Sequence, residues 1–470
     1  MCGIVGILSN KEVTPTILDV LKKLEYRGYD SAGIATIYHN NIKRQRAKGK
    51  IGNLIKLINQ NDLPGKIGIG HTRWATHGIP SEDNAHPHHI GSVVGVHNGI
   101  IENFREIKEE LSQKGYQFYS DTDTEVIIQL CSYYIEQGFS NKDAFLRTIK
   151  RLKGAFALCL MFKDDDKRLY VTKRSAPLVI GYGKSDIYVG SDAVSLSNLI
   201  NKVIFLDEDD VAVISKKETE IFNKTGQKIE RKKKSVELNS EAINKGNYQH
   251  FMLKEIHEQP SVLKTTQSKY TSEYFNDFET KFRHLFEVDK IVLVGCGTAY
   301  HASMVGEYYF NHFTNKEVST ELASELRYKK INKNKQILYI FISQSGETMD
   351  TLMALKYVKS MNHKSLVITN SLESSMVREA EVTIPTYAQK EVGVASTKAF
   401  TCQLLSLANL ALEVGRMENS ISNQIYKKNI NLLNKLPSKI DKLINEFTPN
   451  AKIISKKLSQ ANACYFIGRN

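Results

Sequence analysis

The sequence predicts an α/β protein made of two domains with different architectures. In residues 2–215, many short apolar strands alternate with a few amphipathic helices, a mixture typical of stacked sheets covered by helices. From about Lys290, a strand, a short turn and a helix follow one another repeatedly, as in a doubly wound parallel sheet. Between these parts the composition becomes polar and basic, which predicts a linker over residues 216–280.

The elements of the first domain follow from runs of apolar and β-branched residues. A helix is predicted over residues 14–24, because Ile17, Leu21 and Leu24 recur at helical spacing and Pro15 suits a first turn. Two more helices are predicted over residues 103–114 and 124–137. Strands are predicted over residues 4–8, 34–38, 66–70, 91–97, 156–162, 169–174, 187–191 and 211–214.

The second domain is predicted over residues 281–421. Its apolar strands cover residues 291–294, 337–342 and 366–369, and helices begin near Ala299 and Thr348. After a helical stretch over residues 396–462, a new strand is predicted over residues 463–467, so residues 455–470 begin a third domain. A domain that has only begun its first strand cannot bury a core, so we expect this sequence to be a fragment.

Composition narrows the class of protein. Of the 470 residues, 41% are hydrophobic and 24% are charged, which excludes a largely disordered chain. The longest apolar run, residues 154–162, is far shorter than the ~18–20 residues that span a membrane. The six cysteines form no CxxC pair, and the chain begins without a secretory signal, so we expect a reduced, cytoplasmic protein. The net charge of +13 is compatible with anionic ligands, whereas the basic run at residues 231–234 is typical of a solvated connector rather than a nucleic-acid site.

Cys2 is a candidate nucleophile. Because Gly3 is small, we expect Met1 to be removed, so that Cys2 carries both a thiol and a free α-amine. These groups have unperturbed pKa values of about 8.5 and about 8, so the amine can take the thiol proton. The alternative is that Cys2 is a small hydrophobic residue at the edge of a strand.

Three later segments carry groups that suit an acyl-transfer site. Arg73 can bind a carboxylate with two hydrogen bonds, and Trp74 suits a loop that closes over a small site, although a packed loop would explain both. Asn98 and Gly99 offer side-chain and backbone N–H groups for an oxyanion, although Asn-Gly alone also marks a hairpin. Asp123 precedes a helix, where it either caps the helix or holds a substrate ammonium group. We expect no metal at residues 86–89, because their spacing lacks a regular ligand scaffold.

Together these segments resemble the glutamine amidotransferases of the N-terminal-nucleophile class. The resemblance covers about the first 215 residues and implies a four-layer α/β/β/α sandwich. It also implies that Cys2 attacks the side-chain amide of glutamine and releases ammonia, while Asn98 and Gly99 stabilise the oxyanion. Arg73 would hold the glutamine carboxylate and Asp123 its α-amine, with Trp74, Thr76 and His77 on the closing loop. The motifs that carry the resemblance are CGIVG at residues 2–6, YRGYDSAG at 26–33, RWATHG at 73–78, HNG at 97–99 and TDTE at 122–125.

A second candidate site lies in the second domain. Residues 343–348, SQSGET, follow a predicted strand and open a helix, so their hydroxyls and free N–H groups can bind a phosphate. Residues 295–298 occupy the equivalent place after the preceding strand, at the edge where open α/β sheets bind ligands. Helix capping is the alternative explanation of the serine-rich turn. No dinucleotide motif is present there, since Tyr300 stands where a third glycine would be needed, and Cys296 is a small loop residue rather than a nucleophile.

This half resembles the sugar isomerase (SIS) domain. With the segments HFMLKEI at residues 250–256 and GVASTKAF at 393–400, the whole chain resembles the family of glutamine-dependent aminotransferases that act on fructose 6-phosphate. The resemblance implies that Ser343, Gln344, Ser345 and Thr348 hold the phosphate and that Thr298 and the backbone around Val394 contact the sugar. It implies glutamine and fructose 6-phosphate as substrates, internal transfer of ammonia, no metal or organic cofactor, no nucleic-acid or membrane partner, and a homodimer through the sugar domains.

The sequence departs from the family pattern in two places. Ala299 replaces a serine that follows the Cys-Gly-Thr loop in family members, which removes one possible sugar contact. The second sugar domain, which provides an acid/base carboxylate, a histidine and an imine-forming lysine, is not present, so we expect glutaminase activity without complete isomerisation. Two alternatives are a phosphosugar-binding regulator with an inert N-terminal domain and a purine-pathway amidotransferase. The latter would need acidic residues before a threonine-rich phosphate turn, and the turn here is serine-rich.

Overall fold

The computed structural model of the chain describes residues 2–25, 28–75, 77–193, 195–235 and 245–467. The chain forms two compact units, Met1–Ile243 and Asn244–Asn470. Within the described residues, no helix combines the length and the apolar character that crossing a membrane requires.

Fifteen strands are described in the first unit, and they form two antiparallel sheets. Eight strands form one sheet in the order β15-β11-β9-β10-β1-β4-β2-β3, and seven form the other in the order β14-β13-β12-β8-β7-β6-β5. Their bounds are β1 (Gly3–Leu8), β2 (Ser31–Tyr38), β3 (Asn41–Lys48), β4 (Ile67–Arg73), β5 (His88–Ile90), β6 (Val93–Ile101), β7 (Gly154–Phe162), β8 (Asp165–Arg174), β9 (Val179–Tyr182), β10 (Ile187–Gly190), β11 (Lys202–Phe205), β12 (Val211–Ser215), β13 (Thr219–Phe222), β14 (Lys228–Ile229) and β15 (Lys234–Ser235).

Helices cover the outer face of each sheet. The helices α1 (Thr14–Leu24) and α2 (Ile51–Gln60) share a core with the first sheet, and α3 (Phe104–Gln113), α4 (Glu125–Glu136) and α5 (Asn141–Arg151) share one with the second. The sheets face each other, since a side chain at Gly6 in β1 would touch Cys159 in β7. The four layers confirm the predicted α/β/β/α sandwich.

The predicted helices of this unit agree with the structure to within one residue at each end. Helix α1 has the predicted bounds, and its apolar stripe is fully buried, as helical spacing requires. Helices α2 and α5 were not predicted. The signal in α2 was present, because Ile51, Leu54 and Ile58 are spaced by three and four residues and are all buried.

The second unit contains a five-stranded parallel sheet in the order β17-β16-β18-β19-β20, which confirms the predicted doubly wound topology. Both faces are buried, because Leu293 belongs to one apolar core and Val294 to the other. The elements are α6 (Phe251–Lys269), a π-helical turn (Tyr270–Tyr274), α7 (Phe278–Phe286), β16 (Lys290–Gly295), α8 (Thr298–Phe313), β17 (Glu317–Leu322), α9 (Ala323–Leu326), β18 (Ile337–Ser343), α10 (Met349–Ser360), β19 (Lys364–Thr369), α11 (Ser375–Glu379), β20 (Val382–Pro385), α12 (Lys398–Met417) and α13 (Asn423–Leu458).

The range predicted as a linker contains regular structure. Strands β13 to β15 belong to the first unit and α6 begins the second, so the boundary between Ile243 and Asn244 lies inside the predicted linker. The composition was misleading because β14 and β15 are two-residue strands at sheet edges, where exposed polar and basic side chains are normal.

Two predictions near the end of the chain were wrong. The helical stretch over residues 396–462 is two helices, and Ser422 caps the second by accepting a hydrogen bond from the Ile425 N–H at 3.3 Å. Residues 463–467 form no strand, and Tyr465, Phe466 and Ile467 are each at least 90% exposed. A strand needs a neighbour to bond its backbone groups, and the described residues provide none for this segment.

A pair of glycine substitutions tests the close packing of the first unit. A Cβ at Gly33 in β2 would overlap the His86 carbonyl oxygen, whereas a Cβ at Gly52 in α2 meets no atom within 4 Å. We expect Gly33→Ala to lower the stability of this unit by about 1–3 kcal/mol through overpacking. We expect Gly52→Ala to raise it by up to about 1 kcal/mol, because alanine favours the helix. Thermal unfolding followed by the fluorescence of Trp74, the single tryptophan of the chain, reports on this unit. Equal midpoints for the two variants would contradict the described contact.

Candidate active site

Cys2 lies at the start of the central strand β1. The antiparallel register of β1 with β4 pairs Gly3 with Thr72, so the residues that flank this pair, Cys2 and Arg73, are also brought together. The Cys2 Sγ accepts a hydrogen bond from the Trp74 N–H at 3.2 Å and lies 3.5 Å from the Trp74 carbonyl oxygen. Cys2 itself is partly exposed. The strand pairing therefore places the thiol beside the predicted closing loop.

The surroundings of Cys2 keep its thiol protonated. Burial of the sulfur raises the pKa of the thiol, while the hydrogen bond from the Trp74 backbone and the nearby charge of Arg73 act in the opposite direction. Among the described residues, the hydrogen-bond partners of Sγ are both backbone atoms of Trp74. No described side chain is therefore bonded to the sulfur as a base.

Asn98 and Gly99 lie near the end of β6. The Asn98 Nδ2 donates to the Cys2 carbonyl oxygen at 3.1 Å and to Ser191 Oγ at 3.0 Å, so the amide joins the two sheets at the nucleophile. Gly99 has φ +120°, and a Cβ there would overlap the Ala155 carbonyl of the neighbouring strand. Only glycine fits this position, which leaves the backbone N–H unobstructed by a side chain.

Arg73 and Asp123 are both buried, with about 4% of each exposed. The Arg73 guanidinium donates through Nη2 to the carbonyls of His77 and Gly78. Its Nη1 is buried and has no hydrogen-bond partner among the described residues. Asp123 Oδ2 accepts from the Ile101 N–H at 2.8 Å, which fixes the carboxylate next to β6. A buried guanidinium N–H without a partner is a group that a substrate carboxylate would satisfy.

The loop after β4 rests on residues of the second family motif. The Asp30 Oδ2 accepts from the Ala75 N–H at 2.6 Å, and the Tyr29 ring packs edge-on against Trp74 with 5.3 Å between ring centroids. Trp74 is 40% exposed, and His77 packs edge-on against Phe104. The positions of Tyr29 and Asp30 were not predicted as parts of the site. Three residues of the motifs, Tyr26, Arg27 and Thr76, lie outside the described residues.

The sequence also gave no role to His71 and Ser191, although both bond Asn98. The His71 Nε2 lies 3.0 Å from Asn98 Oδ1, and Ser191 Oγ also accepts from the Ile4 N–H at 2.8 Å. His71 belongs to a buried set of four histidines, whose pKa values are all lowered by burial. These are His71, whose pKa falls to about 3, and His86, His88 and His97. In the part of the chain that the structure describes, no group of three or more histidine, cysteine or acidic residues is placed to hold a metal ion.

In the second unit, the serine-rich turn joins β18 to α10. The Ser343 Oγ accepts from the Gly346 N–H at 3.1 Å and lies 3.3 Å from Thr348 Oγ1. Ser345 Oγ accepts from the Glu347 N–H at 3.1 Å. Gly346 has φ +62°, and a Cβ there would overlap Ser374, so the turn is tight. The Gln344 carbonyl of the same turn accepts from the Asn370 N–H at 3.2 Å. The hydroxyls of Ser343, Ser345 and Thr348 therefore lie close to the N–H groups in the first turn of α10.

Thr298 and Val394 lie in other loops of this unit. Thr298 begins α8 immediately after β16, which pairs with β18, so Thr298 and Ser343 lie at the same edge of the sheet. Val394 is 70% exposed, in the loop before α12. The carboxylate of Glu255 anchors that loop by accepting from the Gly393 N–H at 3.0 Å. Glu391 accepts from the Thr397 N–H at 2.8 Å. Neither glutamate was predicted as part of the site. Glu255 bonds a backbone N–H that is distant in sequence, and Glu391 bonds an N–H within an irregular loop.

Two protein-family models match this chain, one in each unit. The family model described as a glutamine amidotransferase domain matches residues 71–198, and the SIS domain model matches residues 284–413. A solved C-terminal domain of glucosamine-fructose-6-phosphate aminotransferase from Francisella tularensis aligns with 44% of this chain and 60% of that one, at 36% identity and a TM-score of 0.40.

The curated relatives match along the whole chain. The chain is 41% identical to the isomerizing glutamine–fructose-6-phosphate aminotransferase of Agrobacterium fabrum and 42% identical to that of Mesorhizobium japonicum. In both cases all of this chain is covered, together with 78% of the relative. The chain therefore belongs to the isomerizing glutamine–fructose-6-phosphate aminotransferases, a family of enzymes.

Proposed function

We propose that the enzyme uses Cys2 to hydrolyse glutamine and passes the ammonia internally to fructose 6-phosphate, which yields glutamate and glucosamine 6-phosphate. We assign the glutaminase to residues 2–215 and the first sugar domain to residues 281–421. The observation that carries the proposal is the arrangement around Cys2. A thiol, the Asn98 amide and a guanidinium N–H that has no partner among the described residues all belong to one site in the first unit.

The proposed reaction begins with removal of Met1, which frees the α-amine of Cys2. Burial raises the pKa of the thiol and no described side chain is bonded to the sulfur, so the α-amine is the base that this residue itself can supply. The amine takes the thiol proton as Sγ attacks the amide carbon of glutamine. The Gly99 N–H and Asn98 Nδ2 donate hydrogen bonds to the resulting oxyanion, and one Nδ2 hydrogen gives up its bond to the Cys2 carbonyl oxygen or to Ser191 Oγ in order to do so. Collapse of this intermediate, with the proton returned from the amine, releases ammonia, and water then cleaves the thioester to give glutamate.

The remaining residues of this site recognise the two charges of the amino acid. Arg73 is assigned to the α-carboxylate, because its Nη1 is buried and no residue that the structure describes bonds it. Asp123 is assigned to the α-ammonium group, because its carboxylate is buried and fixed by the Ile101 N–H. Trp74, Thr76 and His77 are assigned to the loop that covers bound glutamine and excludes water.

The second unit is proposed to bind the phosphorylated sugar. The hydroxyls of Ser343, Ser345 and Thr348 and the N-terminus of α10 offer several donors to a phosphate dianion. Gln344 is assigned to the phosphate as well, and Thr298 and the backbone around Val394 are assigned to the sugar. No metal or organic cofactor has a place in the proposed reaction. A homodimer through this unit and a cytoplasmic location are also proposed, on the family resemblance.

The first prediction concerns the nucleophile. We expect Cys2→Ala to lower the rate of glutamine hydrolysis more than about 10⁴-fold, since removal of a nucleophile abolishes the covalent route. Cys464→Ala, which changes an exposed cysteine of the second unit, should leave the rate unchanged. Glutamate release measures the activity, and intact mass spectrometry should show that Met1 is absent from the active protein. Hydrolysis by Cys2→Ala, or by protein that retains Met1, would refute the proposed nucleophile. If the wild-type protein itself did not hydrolyse glutamine, the phosphosugar-binding regulator would be the remaining alternative.

A second prediction concerns the guanidinium of Arg73. Lysine keeps the charge but loses the planar pair of donors, so we expect Arg73→Lys to weaken glutamine binding by about 1.5–3 kcal/mol. The KM for glutamine should rise by the corresponding ~10–150-fold, while kcat changes much less. The control is 4-aminobutanamide, an analogue without the α-carboxylate, for which the loss should disappear. An equal loss with both substrates would show that Arg73 supports the loop rather than the carboxylate.

A third prediction concerns the serine-rich turn. Removal of one hydrogen bond to a charged phosphate costs about 1.5–3 kcal/mol, so Ser345→Ala should weaken fructose 6-phosphate binding at least ~10-fold. Ser360→Ala, at the far end of α10, is the matched control and should bind normally. Isothermal titration calorimetry gives the affinities, and inorganic phosphate should compete with the sugar. Unchanged affinity in Ser345→Ala would argue that the turn is only a helix cap.

A further inference from the structure

His71 makes two contacts through one ring nitrogen, and both partners are acceptors. Its Nε2 lies 3.0 Å from Asn98 Oδ1 and 3.0 Å from the His97 carbonyl oxygen. A carbonyl can only accept, so Nε2 must carry the proton in order to bond His97. The same N–H then faces the oxygen of the Asn98 amide, which fixes the identity of that atom as well.

The surroundings of Nδ1, on the opposite side of the His71 ring, disfavour the tautomer that carries its proton there. The side chain is fully buried, and Nδ1 has no hydrogen-bond partner among the described residues. The ring of His86 packs against it with 4.2 Å between ring centroids. A proton on Nδ1 would therefore be buried without an acceptor, and Nε2 would lose its bond to His97. Burial also lowers the pKa of His71 to about 3, so the ring stays neutral.

The two groups that accept hydrogen bonds from the Asn98 Nδ2 differ in how strongly they fix the orientation of the amide. Its Nδ2 donates to the Cys2 carbonyl oxygen and to Ser191 Oγ. The Cys2 carbonyl can only accept, so it favours the observed orientation, whereas the Ser191 hydroxyl can donate as well as accept and would tolerate an amide turned by 180°. In that turned state the amide oxygen, not its N–H, would point at the nucleophile, where it would repel a developing oxyanion.

We propose that His71 is a positioning residue that holds the Asn98 amide with its N–H groups toward Cys2 and so preserves the oxyanion donor. The proposal rests on the glutaminase function assigned above. His71 does not touch substrate in this role; it acts through the orientation of Asn98. A turned amide would place its N–H against the His71 Nε2–H, and this contact between two donors adds to the preference that the Cys2 carbonyl already sets.

Steady-state hydrolysis of glutamine by the full chain tests the proposal. We expect His71→Leu to lower kcat about 10–100-fold, as misplacement of a catalytic group does, with little change in KM because the oxyanion exists only in the transition state. Asn98→Ala should lower kcat about 10²–10³-fold. The double variant should be no slower than Asn98→Ala alone, because His71 then has no amide to hold. A further loss in the double variant would overturn the proposal, since it would show that His71 acts independently of Asn98.

Two further variants separate positioning from general support of the core. In His71→Gln the side-chain amide N–H can replace the Nε2–H, so this variant should recover most of the kcat that His71→Leu loses. Thr172→Val removes another fully buried side-chain hydrogen bond of this unit, from Thr172 to the Asp210 carbonyl, and should keep the wild-type kcat. Equal loss in the glutamine and leucine variants, or a comparable loss in Thr172→Val, would overturn the proposal.

One measurement does not depend on activity or on a folded leucine variant. Nitrogen-15 NMR of histidine-labelled wild-type protein, with His71 assigned by its absence in His71→Gln, should show a neutral ring protonated on Nε2. A signal from the Nδ1–H tautomer would overturn the proposal. If wild-type protein failed to hydrolyse glutamine, the assigned function would fall, whereas activity that is unaffected by His71→Leu would refute the inference about His71 alone.

Discussion

The antiparallel pairing of β1 with β4 is the constraint on which the glutaminase site depends. Its register sets Gly3 opposite Thr72, and this alone brings Cys2 to the start of the loop that carries Arg73 and Trp74. A shift by one residue would send every side chain of β1 to the other face and move the thiol away from that loop. The register is secured by burial, because all six residues of β1 are buried between helix α1 and the second sheet. The hydrophobic core therefore positions a chemical group that is itself partly exposed.

The same two sheets enclose polar groups that a purely apolar sandwich would exclude. Asn98 lies between the sheets and bonds both Ser191 and His71, so the polar atoms of its buried amide have partners. The network joins β4, β6 and the end of β10, and its members come from distant parts of the sequence. Such a network has few alternative hydrogen-bond arrangements, which suits a site in which the Asn98 N–H must point toward Cys2.

Sequence patterns predicted those elements that depend mainly on neighbouring residues in the chain. Helix α1 and the more apolar strands of both units, such as β1, β7 and β18, follow from apolar spacing, and the SQSGET turn follows from its place between a strand and a helix. Composition failed in the linker range, because polar residues at a sheet edge look like those of a connector. The strand expected over residues 463–467 failed for another reason, since strand propensity is not sufficient without a partner. His71 was not identified because its importance depends on a contact with Asn98, 27 residues away, that no spacing rule reveals.

The four uncharged histidines of the first unit also tie its folding to acidity. In an unfolded chain each imidazole binds a proton near pH 6.5, whereas burial holds the pKa of each of these rings below that value in the folded unit. As pH falls through about 6.5, the unfolded state gains protons that the folded state binds less readily, and the equilibrium moves toward unfolding. Above that pH the penalty vanishes. Acid would thus destabilise this sandwich through the protonation of imidazole rings that are buried in its interior at neutral pH.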